Sequence, residues 1–214
     1  GTQTFDSVLQ ADVVMVIGAN PTEGHPVFGS LLKRRLREGA KLIVIDPCRT
    51  ETAEFADLHL AIRPGADAFL MAALLAELMR RGAFDDRFLA EHTVGIDEVR
   101  AALAKVPVDA WRAAADVAPP DFERLVQMVM DAESMVVRVE LGIQQGLHST
   151  LNSYLEKLLY LTTGHFGRPG THWLHSWLVP LWGNTPGARH FATEAEVIGG
   201  LLSPNVLADA VLTD

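Results

Sequence analysis

The residues best placed to do chemistry fall in three short stretches: Gly18, Asn20 and Glu23, then Asp46 and Pro47, then Pro64, Gly65 and Asp67. These types suit recognition better than bond making. A carboxylate accepts two hydrogen bonds at once, so Asp67 matches adjacent N–H donors such as those on the base edge of guanine. Asp46 suits ribose hydroxyls if it stands at the end of a strand. The first stretch, Gly18-Ala-Asn-Pro-Thr-Glu, lacks the second and third glycines of the G-x-G-x-x-G fingerprint, and Pro21 removes a backbone donor, which argues against a plain NAD site.

Such residues work together only if strands bring them to one edge. Val13–Ile17 and Leu42–Ile45 are too short for helices and rich in β-branched residues, as buried parallel strands are. Between them, Val27, Leu31, Leu32 and Leu36 recur at helical spacing over Pro26–Glu38, and Gly39 follows as a C-terminal cap. Ala56–Ile62 reads as a third strand; Pro64 and Gly65 then turn the chain sharply, and Asp67 begins a helix over Ala66–Arg81. From Phe84 to Asp131 the pattern is helical, with breaks near Gly95, Pro107 and Pro119-Pro120, and reads as scaffolding. A fourth strand, Met135–Val139, runs into Glu140–Gly146 and a helix over Ser149–Thr163, whose Leu151, Tyr154, Leu155, Leu158 and Leu159 share one side. Gly142 and Gly146 either make a tight connection or, backed by a helix dipole, favour a phosphate. Ligands of open parallel sheets bind at the carboxyl ends of strands, so the chain is expected to begin with a nucleotide-type site.

Composition narrows the classes. The chain has 214 residues, 49% of them hydrophobic, enough for a sizeable core, and no apolar run approaches a membrane span. A net charge of −9 disfavours nucleic acid as a partner; Lys33, Arg34, Arg35 and Arg37 read as a solvated helix face. Cys48 is the sole cysteine, which excludes a disulfide framework, a cysteine zinc site or an iron–sulfur cluster within these residues; it is expected to be small, inert and partly buried. No signal peptide opens the chain, so a cytoplasmic location is expected. His172 and His175 stand one helical turn apart but lack a third ligand at usable spacing, so metal binding is not expected there. Trp173, Trp177 and Trp182 crowd Thr171–Pro186, a segment that a neighbouring domain would cover, and Glu194–Leu212 reads as two short helices.

Several motifs, in order, resemble the molybdopterin oxidoreductase family, in particular the formate dehydrogenase-like catalytic subunits. They are Val16-Ile-Gly-Ala-Asn-Pro-Thr-Glu-Gly-His-Pro26, Leu42-Ile-Val-Ile-Asp-Pro47 with Thr50 and Thr52-Ala53, Ile62-Arg-Pro-Gly-Ala-Asp67, Gly142-Ile-Gln-Gln145 and Leu161-Thr-Thr-Gly-His-Phe-Gly-Arg-Pro-Gly170. The resemblance implies an α/β fold: a Rossmann-like, mostly parallel sheet over residues 1–170 with a helical insertion at about 84–131, followed by the segment 171–214. It further implies a molybdopterin guanine dinucleotide carrying molybdenum or tungsten in the full-length enzyme. Carried over, Gly18, Asn20 and Glu23 meet the pyrophosphate, Asp46 and Pro47 meet the ribose, and Pro64, Gly65 and Asp67 read guanine; Thr50 falls among the cofactor-binding residues. Gly142 and Gln145 match a contact loop near the pterin.

The chain also departs from the family. The iron–sulfur segment and the molybdenum-ligating residue of relatives lie upstream of the matched region, and Cys48 stands where relatives carry Arg. Thr171–Pro186 does not reproduce the Arg-Gly-Gln-type stretch of typical formate dehydrogenases, which speaks against formate as substrate. The chain is therefore expected to be an internal fragment without catalytic residues, apo and inactive alone. Its expected partners are the remaining domains of one polypeptide, electron-transfer subunits and a small-molecule substrate. Two other readings compete: a pterin-free structural module like the large peripheral subunit of respiratory complex I, and a nucleotide-binding middle domain of a thiamine-dependent enzyme.

Overall fold

In the computed structural model, residues 5–172 are described, and all of them fall within one compact unit. A short helix, α1 (Phe5–Val8), leads into strand β1 (Val13–Ile17), a one-turn helix α2 (Pro21–Gly24) and the longer α3 (Pro26–Arg37). Strand β2 (Lys41–Ile45), a 3-10 turn over Ala53–Phe55 and strand β3 (Leu58–Leu60) follow. Five helices come next: α4 (Asp67–Arg80), α5 (Asp86–His92), α6 (Ile96–Leu103), α7 (Val108–Ala114) and α8 (Pro119–Met130). Strand β4 (Met135–Val139), α9 (Leu141–Gln144) and α10 (Ser149–Thr162) complete the described elements.

The sheet is parallel throughout, in the order β3-β2-β1-β4. Because side chains alternate along a strand, the two faces carry different layers. Val14, Val16, Leu42, Val44 and Val136 pack under Phe28 and Leu32 of α3, whereas Val13, Met15, Ile17, Ile43 and Ile45 pack against α4, α8 and α10. From the helical stretch after Phe84, Leu103, Val108, Phe122, Leu125 and Val126 join the core beneath α4. The first connection from β1 and the last from β4 thus leave toward opposite faces, which opens a crevice between the carboxyl ends of these two neighbouring strands.

Several expectations change. β3 is shorter than Ala56–Ile62 at both ends: the Asp57 carboxylate accepts from the backbone N of Leu42 through Oδ2 and from Lys41 through Oδ1 before the strand begins, and after Leu60 the N–H of Ile62 turns back to the Leu60 carbonyl. On α10, Leu155 and Leu159 are buried, but Leu151 and Tyr154 are 46% and 52% exposed; α10 presents to the core a narrower stripe than its apolar side suggested. Arg35 does not belong to the solvated face: its Nε donates to the carbonyl of Ala11 at 2.8 Å and its guanidinium approaches Asp12. Cys48 is exposed, not partly buried, because it sits at the tip of the turn that follows β2. The Trp-rich segment from Trp173, His175 and the expected helices of Glu194–Leu212 lie outside the described residues. No helix among the described residues is long and apolar enough to cross a membrane.

The outer edge of β4 is closed by histidine chemistry. The backbone N–H of Val137 donates to Nε2 of buried His172 at 2.9 Å, and the imidazole stacks on Tyr160 with centroids 4.0 Å apart. An imidazole that accepts at Nε2 is neutral there. Burial lowers the pKa of His172 to about 3 and that of His165 to about 4. Both groups titrate near 6.5 when unfolded, so the unfolded chain binds protons first as pH falls. The stability they contribute is complete above about pH 6.5 and is lost as pH drops toward 4, at up to about 1.4 kcal/mol per pH unit for each histidine. Urea midpoints measured between pH 7 and pH 4.5 should fall accordingly; a flat profile would contradict neutral burial of both rings.

Candidate functional site

The carboxyl ends of all four strands bear the residues singled out above. After β1 the chain turns at Gly18, whose φ is +57°, and its N–H donates to the carbonyl of Ile45 at 2.9 Å. After β4, Gly142 donates its N–H to the carbonyl of Gly18 at 3.0 Å. The two backbones touch: a Cβ on Gly18 would lie 2.6 Å from the N of Ile143, and one on Gly142 would lie 2.6 Å from the O of Gly18. Tight connection therefore explains why position 142 is a glycine. Gly146 and Gln145 follow in the loop, and Gln145 is exposed.

The first loop is held by a residue the candidate set omits. Thr52, 1% exposed, donates from its hydroxyl to Oδ1 of Asn20 at 2.8 Å and accepts from the backbone N–H of Thr22 at 3.2 Å. Asn20 uses its Nδ2 to donate to Oε2 of Glu23 at 3.1 Å. Asn20 thus orders the loop, and exposed Glu23 stands at the rim. Thr50 performs a local task, accepting from the backbone N–H of Ala53 through its hydroxyl. The signal for Thr52 lay in its own motif, beside Thr50, but nothing in the local pattern distinguishes the buried threonine from its neighbour.

At the end of β2, Asp46 folds back so that Oδ1 accepts from the N–H of Cys48 at 2.8 Å, an Asx turn that fixes the carboxylate at the strand end. The carbonyl of Asp46 accepts from Nε2 of His59 at 2.9 Å, which sets the tautomer of that ring. Pro47 is exposed beside it. Beyond β3, Pro64 and Gly65 form an exposed turn, with φ of +81° at Gly65, and Asp67 opens α4. Asp67 is the first helical residue, as its place after the turn suggested, and Ala66 occupies the capping position without a side-chain cap bond. Asp67 is 8% exposed. Burial raises its pKa above the usual carboxylate range, the N–H of its own residue opposes that shift, and the charge of Asp46 adds to it. Two carboxylates at adjacent strand ends therefore sense one another, and the deeper one lacks a side-chain donor among the described residues.

Three further polar groups meet at the β1–β4 crevice: His25, Arg138 and Glu140. Arg138 was legible as the lone charge in the strand Met-Val-Val-Arg-Val. A cavity of about 570 Å3 lies away from the strand ends, between α4, α6 and α10, and its lining is apolar apart from Glu98 and His148. It shares none of the strand-end residues. Among the described residues no group of three or more His, Cys, Asp or Glu side chains is arranged to hold a metal ion.

Comparison with known proteins gives a consistent picture. Residues 1–201 match the family model described as molybdopterin oxidoreductase. The F420-dependent formate dehydrogenase 2 subunit alpha of Methanococcus maripaludis is 29% identical over 79% of this chain and 25% of its own length. A nitrate reductase of Shewanella frigidimarina is 33% identical over 78% of this chain and 18% of its own length. Among solved structures, acetylene hydratase from Pelobacter acetylenicus matches with a TM-score of 0.68 at 20% identity, over 76% of this chain and 24% of that one, a likeness of fold. The chain spans a quarter or less of the length of each of these proteins.

Proposed function

Given that the chain belongs to the molybdopterin oxidoreductase family, we propose that its four strand ends cradle one molybdopterin guanine dinucleotide of a molybdenum or tungsten enzyme. The observation that carries this reading is Asp67: a buried carboxylate at a strand-to-helix turn, its pKa raised by burial, with no side-chain donor among the described residues. Such a group fits a ligand edge that offers two adjacent N–H donors, as guanine does. Asp46, fixed by its Asx turn, is placed for ribose hydroxyls, with Pro47 and Thr50 shaping that loop. Pro64 and Gly65 give the base a backbone floor. Gly18, Asn20 and Glu23 form the loop toward the pyrophosphate, and Gly142 and Gln145 the side toward the pterin.

When bound, the cofactor supplies the redox chemistry through its metal. This chain's share is to bind and orient it; none of its residues is assigned a catalytic role. In the longer polypeptide, the remaining domains and electron-transfer subunits would surround the cradle, and iron–sulfur clusters would lie outside this chain.

The polypeptide that carries this chain, purified and denatured in acid, is expected to release guanine nucleotide and a pterin together with molybdenum or tungsten. An enzyme free of both guanine and metal overturns the reading and favours the pterin-free module.

A further inference from the structure

His25, Arg138 and Glu140 form a cluster that the assignment above leaves unused. Nδ1 of His25 lies 2.9 Å from Oε1 of Glu140. Nε and Nη2 of Arg138 donate to the same oxygen at 3.0 and 2.7 Å. Three nitrogens, from two separate parts of the chain, therefore converge on one carboxylate oxygen. The guanidinium is steadied from below by the ring of Phe28, 5.2 Å away.

The position of the cluster gives it meaning. Arg138 is paired with Val16 across the β1–β4 ladder, Glu140 follows β4 directly, and His25 stands between α2 and α3. All three lie at the mouth of the crevice between the carboxyl ends of β1 and β4, beside the Gly18–Gly142 contact. Their side chains are 46%, 22% and 19% exposed for His25, Arg138 and Glu140, so a ligand can reach them. A guanidinium and an imidazole aimed at one oxygen are the donor set that phosphate oxygens accept. A carboxylate in the same place holds both donors in position, yet its charge opposes that of an arriving diphosphate.

We propose that His25 and Arg138 seat the diphosphate of the bound dinucleotide, and that Glu140 is an internal anion competing with it for the two donor side chains. This rests on the cradle reading and adds to it a residue that limits affinity. Glu140→Gln keeps the hydrogen-bond acceptor and removes the charge.

The test is calorimetric titration of the cofactor-free polypeptide that carries this chain, and of its variants, with GDP, guanosine and inorganic pyrophosphate. Glu140→Gln should bind GDP and pyrophosphate about tenfold more tightly, with guanosine unchanged, the scale of one charge-assisted hydrogen bond. Arg138→Gln should bind GDP about tenfold more weakly and with a shallower salt dependence, again with guanosine unchanged. If guanosine and GDP bind the native chain but Glu140→Gln binds GDP equally or more weakly, the proposal is overturned and the cradle reading stands. The proposal alone is likewise overturned if Arg138→Gln leaves GDP binding intact, or if only pyrophosphate responds. If neither guanosine nor GDP binds the native chain, both fall.

Discussion

Asp67→Asn is expected to stabilise the protein at neutral pH and, on the proposed cradle, to weaken the binding of guanine nucleotides. Burial raises the pKa of Asp67, so its ionised form costs folding free energy in the absence of ligand. A raised carboxylate pKa means that the folded state holds the proton more tightly than the unfolded one. The penalty is thus absent at low pH, below the ordinary carboxylate pKa, and sets in as pH rises through the folded value. The thermal midpoint of Asp67→Asn should exceed that of the native chain at pH 7, and the difference should vanish on acidification. The carboxamide offers one acceptor and one donor group where the carboxylate offered two acceptors. Losing a pair of charge-assisted bonds costs about 1.5–3 kcal/mol each, so GDP affinity should fall by at least tenfold, with ADP gaining relative to GDP. Unchanged GDP affinity in this variant would remove Asp67 from the base site.

The second large effect is expected at the meeting of two backbones. In Gly18→Ala the new methyl would lie 2.6 Å from the N of Ile143, and φ is +57°, a region that penalises any Cβ. Gly142→Ala meets the O of Gly18 at 2.6 Å from the other side. Neither obstacle is the tip of a flexible side chain, so the β1 and β4 loops must separate and the 3.0 Å bond between them must lengthen. Overpacking of this kind costs about 1–3 kcal/mol, and the left-handed backbone adds about 1 kcal/mol at Gly18. Once the loops have moved apart, the second alanine meets less resistance, so the double variant should lose less than the sum of the two. Urea denaturation measures all three; losses within about 0.5 kcal/mol of zero would show that the loops are not in contact in solution.

Much of this site was readable from local pattern. Short β-branched runs bounded by Gly18, Asp46 and the Pro64-Gly65 turn announced buried parallel strands, and parallel strands place their carboxyl ends on one edge. Asp46 and Asp67 therefore come together for a reason the chain states locally. The buried threonine was not readable, because Thr50 and Thr52 are alike until the loop after β1 packs over one of them. Cys48 and the Leu151–Tyr154 side of α10 misled for a related reason: residue type records average burial, whereas exposure depends on which neighbour covers the residue.

The sequence by itself determined the strands, the helices between them and the residues at each strand end, since those follow from periodicity, turn chemistry and side-chain type within a few neighbours. Only the tertiary structure decided that β4 lies beside β1, in register from Val13–Met135 to Ile17–Val139. That pairing presses Gly18 against Gly142 and carries Arg138 and Glu140 to His25. Such contacts join segments far apart along the chain. They are set by which hydrophobic faces share a core and by the register of the sheet, quantities that no local stretch of residues contains.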